Sequence, residues 1–276
     1  MKICDLHTHS YYSDGSFSPV EIAQEAKRVG LSAVALTDHN NVGGIEEFLQ
    51  ECEKQNIEGI IGTEFSTDYK NTELHILGLF IKKESLSAVN DICEEVRKNK
   101  DESNRIMIKR LQDAGYDITY DEVSATCKGT MNRAHIGEVL YKKGYTKTVK
   151  EVFKTILSKK GSVYHAAKRL EVFKTIDFIK SIGAVPVLAH PFLDLDEQGL
   201  REFLTLAVPH GLEAIETVYS TYSQEETLLA KQIAKEYGLK ESGGSDFHGS
   251  RKIDISLATG RGNLIVPYDF CEKLHP

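Results

Sequence analysis

Residues 1–16 read MKICDLHTHSYYSDGS. A short apolar run, residues 3–7, reads as a strand and ends in His7. His9 follows one residue later, and the pair Asp14-Gly15 follows on the next loop. Alternate residues of a strand leave the same face, so His7 and His9 point to one side and can bind one ion. Asp14 can serve a second ion nearby. Taken singly, a histidine on an apolar strand is more often a hydrogen-bonded core residue than a ligand. The pair gains weight only if other strands end in the same way.

They do. A helix is expected from Pro19 to Val29, with Ser18 as N-cap, Glu21 completing a capping box and Gly30 as the stop. AVALTDH (33–39) is a strand ending in Asp38 and His39, and a second helix runs over about 44–55. IEGIIGTEFS and ELHILGLF read as strands on either side of a turn at 68–71, the first carrying Glu64 and the second His75. Further on, AVPVLAHP ends in His190, LEAIETVY carries Glu216, and the last strand runs into GGSDFH with Asp246 and His248. Two helices, near 172–182 and 224–237, separate these strands; the second has Ser223 and Glu226 as a capping box and Gly238 as its stop. Strand–helix alternation predicts a parallel sheet, and this many apolar strands suggests an α/β barrel, whose working groups gather at the C-terminal strand ends.

The rhythm breaks between residues 84 and 160, where the pattern reads as helices over 85–113, 121–126, 134–143 and 148–158. The expected organisation is a catalytic barrel of residues 1–83 and 161–276 with an all-helical insertion, residues 84–160, acting as a lid. Net charge is −7, but residues 97–174 hold 18 Lys and Arg against 9 Asp and Glu, a local +9. A Lys-rich solvated helix surface accounts for such a count; so does a segment facing anionic substrates.

Composition is that of a soluble globular protein, 41% hydrophobic and 27% charged. No apolar run approaches the roughly 20 residues of a membrane span, and the N-terminus lacks a signal-peptide pattern. The five cysteines are scattered without a CxxC, which suggests reduced thiols in the cytoplasm and excludes a thiolate zinc site. Gathering so many buried imidazoles and carboxylates without cations would leave costly unpaired groups. Divalent Zn, Mn or Fe resolves this, since neutral imidazole and carboxylate suit all three.

DLHTHSYYSDG, LTDHN, GTEFS, ELHILG, LAHP and GGSDFHG, in this order, resemble the signature set of the PHP (polymerase and histidinol phosphatase) family. Within it the chain is most similar to stand-alone phosphoesterases with a helical insertion. The resemblance implies a distorted seven-stranded β/α barrel and three divalent ions. It gives His7, His9 and Asp246 to a first ion, Glu64 as the bridge from the first to a second, His75 and His190 to the second, and Asp14, His39 and His248 to a third. Asp38 is left to orient a ligand, and Glu216 is either such a partner or structural. NRAH (132–135) is similar to an Arg-x-His element of these phosphoesterases, which makes Arg133 and His135 phosphate-binding residues. Where the family carries a histidine after the Glu216 strand, this chain has Tyr222.

With those ligands three divalent ions contribute +6 and Asp14, Glu64 and Asp246 return −3, leaving a charge suited to a phosphate group. A water on the ions then acts as in-line nucleophile, Arg133 clamps the phosphate, and His135, if protonated, assists the leaving oxygen; Asp246 and His135 join the catalytic machinery. The expected substrate is a nucleoside monophosphate, a 3′,5′-bisphosphate or the 5′ end of a short oligonucleotide. Histidinol phosphate is the alternative within the family. A C–N hydrolase in a similar metal barrel would not need Arg133 and His135, and a non-catalytic metal module would not need the full ligand set. No membrane association or obligate protein partner is inferred. His165, His210 and His275 fall outside every motif and read as surface or packing residues. Tyr11, Tyr12, Tyr219 and Tyr222 read as core or rim packing, with base stacking as the alternative.

Overall fold

A computed structural model describes residues 2–127, 129 and 131–276. The strands are β1 (Cys4–Asp5), β2 (Ala33–Leu36), β3 (Glu58–Tyr69), β4 (Thr72–Leu79), β5 (Leu170–Glu171), β6 (Val185–Leu188), β7 (Ala214–Tyr219) and β8 (Lys240–Gly244). The α-helices are α1 (Pro19–Arg28), α2 (Ile45–Gln55), α3 (Leu86–Asp113), α4 (Tyr120–Ser124), α5 (Arg133–Lys142), α6 (Val149–Lys154), α7 (Val172–Ser181), α8 (Glu197–Ala207), α9 (Gln224–Glu236) and α10 (Tyr268–Leu274). By compactness the chain divides into Met1–Cys93 with Leu170–Pro276, and Glu94–Arg169. The sequence pattern had set the insertion at 84–160, a little nearer the N-terminus.

The first unit is a nearly closed seven-stranded barrel in the order β1-β2-β3-β4-β6-β7-β8, with β5 paired to β3 outside this path. The seam between β8 and β1 is joined by backbone bonds from Leu6 N to Gly243 O (3.2 Å) and from Asp246 N to His7 O (2.9 Å). Asp5 secures it by accepting from the backbone of Ser245 (2.8 Å) and Ala258 (3.0 Å). Gly244 is required there, because a Cβ would stand 2.4 Å from His7 Cβ.

Side chains sort by strand period. Ala33, Ala35, Ile60, Leu77, Leu79, Val185, Val187 and Ala214 form the inner cluster, together with Leu264, Val266 and Phe270. Val34, Leu36, Ile61, Phe65, Ile76 and Ile215 face outward, where buried residues of α1, α2, α7 and α8 cover them. The inner rows run on into polar groups: Ile60 into Glu64, Leu77 back to His75, and Ala214 into Glu216. That change from apolar to ionisable marks the barrel mouth.

Both capping boxes expected from sequence, Ser18–Glu21 and Ser223–Glu226, are present. Two expectations need correction. β4 runs antiparallel to both β3 and β6, so the sheet is mixed. Only two residues, Lys70 and Asn71, join β3 to β4, both at positive φ, and such a turn returns the chain antiparallel. α8 was also absent from the sequence reading of the segment between β6 and β7. It is amphipathic, burying Leu200, Phe203, Leu204 and Ala207 under an Asp196 N-cap, and Gly199 in its first turn masks it.

The second unit has its own apolar core, including Met107, Leu111, Ile118, Ile136, Leu140, Val152 and Leu157. Its helices match the four expected segments to within a few residues, except that the last ends at Lys154. No helix among the described residues is long and apolar enough to cross a membrane.

Candidate metal centre

Glu64 stands at the middle of the barrel mouth with its side chain fully buried. Its Oε1 lies 2.8 Å from His75 Nδ1 and 3.0 Å from His190 Nε2. Its Oε2 lies 3.2 Å from the Nε2 atoms of both His7 and His9, and 3.0 Å from His39 Nδ1. Five imidazoles thus surround one carboxylate. Asp246 Oδ1 lies 3.2 Å from His9 Nε2 and 3.3 Å from His248 Nδ1. Asp14 Oδ1 lies 3.2 Å from His248 Nε2 and 3.8 Å from His39 Nε2. All nine ligand residues expected from sequence converge here.

The local backbone serves this convergence. His190 and Asp246 sit just beyond their strands at φ 28° and 55°, positions that cost a non-glycine residue about 1–3 kcal/mol each. Gly15 lets the loop bearing Asp14 fold back on His9, whose carbonyl oxygen would lie 2.2 Å from an added Cβ. Asp38 ties the same loop by accepting from Ser10 N–H (2.8 Å), Ser10 Oγ (2.6 Å) and Ser13 Oγ (2.5 Å). It therefore orients the segment between His9 and Asp14. Glu216 accepts from the His190 backbone (2.7 Å) and lies 3.0 Å from His7 Nδ1, which turns His7 Nε2 towards the centre.

The donor set fits divalent cations. His7 Nε2, both ring nitrogens of His9, Asp14 Oδ1, His39 Nδ1, Glu64 Oε2 and His190 Nδ1 are buried and lack a hydrogen-bond partner. Each such orphan costs about 1–3 kcal/mol if nothing satisfies it, so the cluster is not a product of packing. Four overlapping groups bring their donor atoms within 4.8 Å of one another: His9, Asp14, His39 and His248; His7, His9 and Asp246; His7, Glu64 and His190; His39, Glu64 and His75. Without cations, protons take up the negative charge. Burial opposes protonation of His75 and His9, but Glu64 raises the first to about 10, and Asp246 with Glu64 raises the second to about 9. Burial dominates at His39 and lowers it to about 3. Burial likewise opposes ionisation of Glu64 and Asp246, yet the surrounding histidines hold both well below the usual carboxylate range.

A cleft opens onto the centre, lined by His39, Glu64, Glu73, His75, His190, Leu193, Asp194, Asp246 and Lys252. Two residues have polar roles here that the sequence did not suggest: Lys252, which no motif includes, and Tyr219, expected to pack or to stack on a base. Lys252 Nζ and Tyr219 Oη each lie 2.6 Å from Asp246 Oδ2. Tyr219 escapes a period-two reading because the β7–β8 register shifts between Glu216 and Val218, which brings residues three apart to one side. Tyr222 is a packing residue whose hydroxyl accepts from Phe192 N–H at 3.1 Å. Tyr11 and Tyr12 stack on one another at 5.1 Å. His210 pairs with Asp177, and His275 packs on Phe80, both away from the centre.

Within the helical unit, Arg133 is half-buried, with its guanidinium 5.1 Å from the Phe153 ring and 5.2 Å from that of Tyr164. His135 is buried at the third position of α5, and its Nδ1 accepts Asn132 N–H at 3.1 Å in a capping box. That bond places the ring proton on Nε2 and makes His135 a donor.

The model of the PHP domain family matches residues 5–170, more than half of the chain. The chain belongs to the PHP family. Its relatives are similar over about nine-tenths of the chain. A 5′-3′ exoribonuclease of Haemophilus influenzae is 29% identical over 251 residues, 90% of each chain. A 3′,5′-nucleoside bisphosphate phosphatase of Chromobacterium violaceum is 28% identical, covering 90% of this chain and 88% of that protein. A Bifidobacterium adolescentis structure assigned as a metal-dependent phosphoesterase superposes with a TM-score of 0.85 at 25% identity, over 99% of this chain and 95% of the other. As a PHP protein with this donor set, the chain is a metal-dependent phosphoesterase.

Proposed function

We propose that this PHP protein hydrolyses the phosphate ester of a small nucleotide, a nucleoside monophosphate or 3′,5′-bisphosphate, or of the 5′ end of a short oligonucleotide. The observation that carries the metal-dependent part is Glu64 within reach of five histidines. The nucleotide part rests on the two relatives named above and on the basic helical segment.

Three ions of Mn, Fe or Zn would suit the donors: His7, His9 and Asp246 would hold one, His75 and His190 another, and Asp14, His39 and His248 a third, with Glu64 shared between the first two. Bound divalent ions lower the pKa of water towards neutrality and offset charge on the phosphate oxygens. The chain's own groups do the rest. Glu216 fixes the His7 ring, and Tyr219 holds the outer oxygen of Asp246 so that its inner oxygen faces the histidines. In the helical unit, Arg133 as a planar double donor and His135 as an Nε2–H donor are the groups suited to the phosphate. Neither gives up a proton in this scheme, so the leaving oxygen takes its proton from solvent.

The test is metal analysis of the purified protein, then hydrolysis of a nucleoside monophosphate, a 3′,5′-bisphosphate, a 5′-phosphorylated trinucleotide, histidinol phosphate and an amide. More than one metal equivalent and turnover of a nucleotide ester are expected, with chelation abolishing it. Preference for histidinol phosphate would overturn the nucleotide assignment. Turnover of the amide alone would overturn the phosphoesterase mechanism.

A further inference from the structure

Lys252 follows the SDFH motif and borders the centre, yet the scheme above gives it no role. Its Nζ sits 2.6 Å from Asp246 Oδ2, and its side chain is 36% exposed. Among the described residues lining the cleft it is the one Lys or Arg; the other charged groups there are carboxylates and histidines. The contact with Asp246 is also redundant, because Tyr219 Oη donates to the same oxygen at 2.6 Å. Asp246 would keep a neutral donor on its outer oxygen if the ammonium moved away. Lys252 lies on a short 3-10 turn, Gly249–Arg251 and its C-cap, so only its own four-carbon stem has to swing.

We propose that Lys252 is a phosphate-binding residue, resting on Asp246 in the free protein and turning to a substrate phosphate oxygen when one enters the cleft. The inference rests on the phosphoesterase reading above. A flexible stem with three rotatable donors suits this exchange, since it can meet a carboxylate oxygen and a phosphate oxygen in turn. The anion would then be held from within the barrel unit, independently of Arg133. A lysine placed only to position Asp246 would not need its exposed place on the cleft wall, nor a second donor beside it. The two roles predict different losses, one of phosphate affinity and the other of metal.

The experiment uses Lys252→Met, which keeps the stem and removes the charge, Lys252→Arg, and Tyr219→Phe as the comparison for Asp246. Metal content is measured by elemental analysis. Binding of inorganic phosphate to the metal-loaded protein is measured by calorimetry and as competitive inhibition of aryl phosphate hydrolysis. Lys252→Met is expected to keep wild-type metal content and melting temperature while binding phosphate about tenfold or more weakly. Lys252→Arg should recover part of the affinity, and Tyr219→Phe should lose metal before it loses phosphate affinity at saturating metal. Unchanged phosphate affinity in Lys252→Met, with the wild type binding normally, would overturn the proposal and leave a surface ion pair. Loss of metal in Lys252→Met would also overturn it, in favour of a positioning role through Asp246. If the loaded wild type neither binds phosphate nor turns over any ester, the phosphoesterase reading fails, an outcome separate from both.

Discussion

Glu64→Gln is the most demanding test of the centre, because this residue faces the most partners. Both carboxylate oxygens face ring nitrogens: Oε1 those of His75 and His190, Oε2 those of His7, His9 and His39, all within 3.2 Å. The amide keeps the size and one oxygen, but its NH2 group turns two protons towards ring nitrogens that must present lone pairs to a cation. It also removes a buried negative charge from among five imidazoles. Removing one partner from a buried charged set costs about 3–5 kcal/mol. Where that loss falls on binding of the ions, at about 1.4 kcal/mol per decade it is roughly two to nearly four orders of magnitude in metal affinity, and kcat/KM at limiting metal falls with it.

The loss should arise through the metals. Elemental analysis of Glu64→Gln should show less bound ion than the wild type, and excess ion should restore only part of the rate. His165→Ala is the control. That residue lies in the helical unit, where its backbone oxygen, not its ring, accepts from Ser103 at 2.7 Å. Activity on an aryl phosphate and on the preferred nucleotide is then compared with circular dichroism of both variants. If Glu64→Gln retains its metals and stays within about threefold of His165→Ala, Glu64 is not the bridge and the three-ion arrangement is wrong.

Glu216→Gln should lower metal affinity about 10–100-fold in chelator competition, because one amide cannot accept from both His7 and the His190 backbone; an unchanged affinity would reduce Glu216 to packing. Arg133→Ala should lose about 1.5–3 kcal/mol of transition-state binding, roughly ten- to a hundredfold in kcat/KM, with metal retained and Arg133→Lys recovering only part. Normal kinetics on every phosphate ester tried would remove the helical unit from phosphate binding. His135→Gln should keep the melting temperature, because glutamine at this helix position can close the capping box, while lowering kcat/KM; His135→Ala should lower both. At pH 8 a thiol reagent should label Cys127 first, since the other four cysteines are buried and burial lifts Cys4, Cys52 and Cys271 well above that pH. Fast labelling of Cys271 in the native protein would show that the barrel floor opens.

Much of the centre was legible because most of its histidines and carboxylates terminate or interrupt an apolar strand, and a polar residue in such a run stands out. His7, His9, His39, Glu64, His190, Asp246 and His248 were found this way. The capping boxes were equally plain, since their chemistry is local and fixed in spacing. Lys252 and Tyr219 were not legible as partners of Asp246. Lys252 follows no periodic segment, and Tyr219 lies on the far side of a bulge that changes which residues share a face. Glu216 was visible, but its use was not, because nothing in LEAIETVY says that a histidine 209 residues away would come within 3.0 Å. Asp38 was visible as an orienting group, but what it holds was not: three donors from Ser10 and Ser13 engage it, on the segment leading to Asp14.

The reversed strand explains how His75 takes part at all. In a parallel strand only the C-terminal end reaches the mouth, and His75 is the fourth residue of β4. Because β4 runs antiparallel, its N-terminal part stands at the mouth, while β3 extends past Glu64 to meet it. The register sets Ser66 opposite His75 and Glu64 opposite Leu77, so Glu64 and His75 are diagonal neighbours on one face. A slip of one residue would turn His75 to the outer layer, among Leu74 and Ile76, and leave Glu64 without that partner. What fixes the register is the turn: Lys70 and Asn71 at φ 52° and 66°, with Asn71 N–H donating to Asp68 Oδ1 at 3.2 Å. A two-residue turn at the hairpin tip therefore decides whether His75 reaches Glu64, although neither Lys70 nor Asn71 lines the cleft.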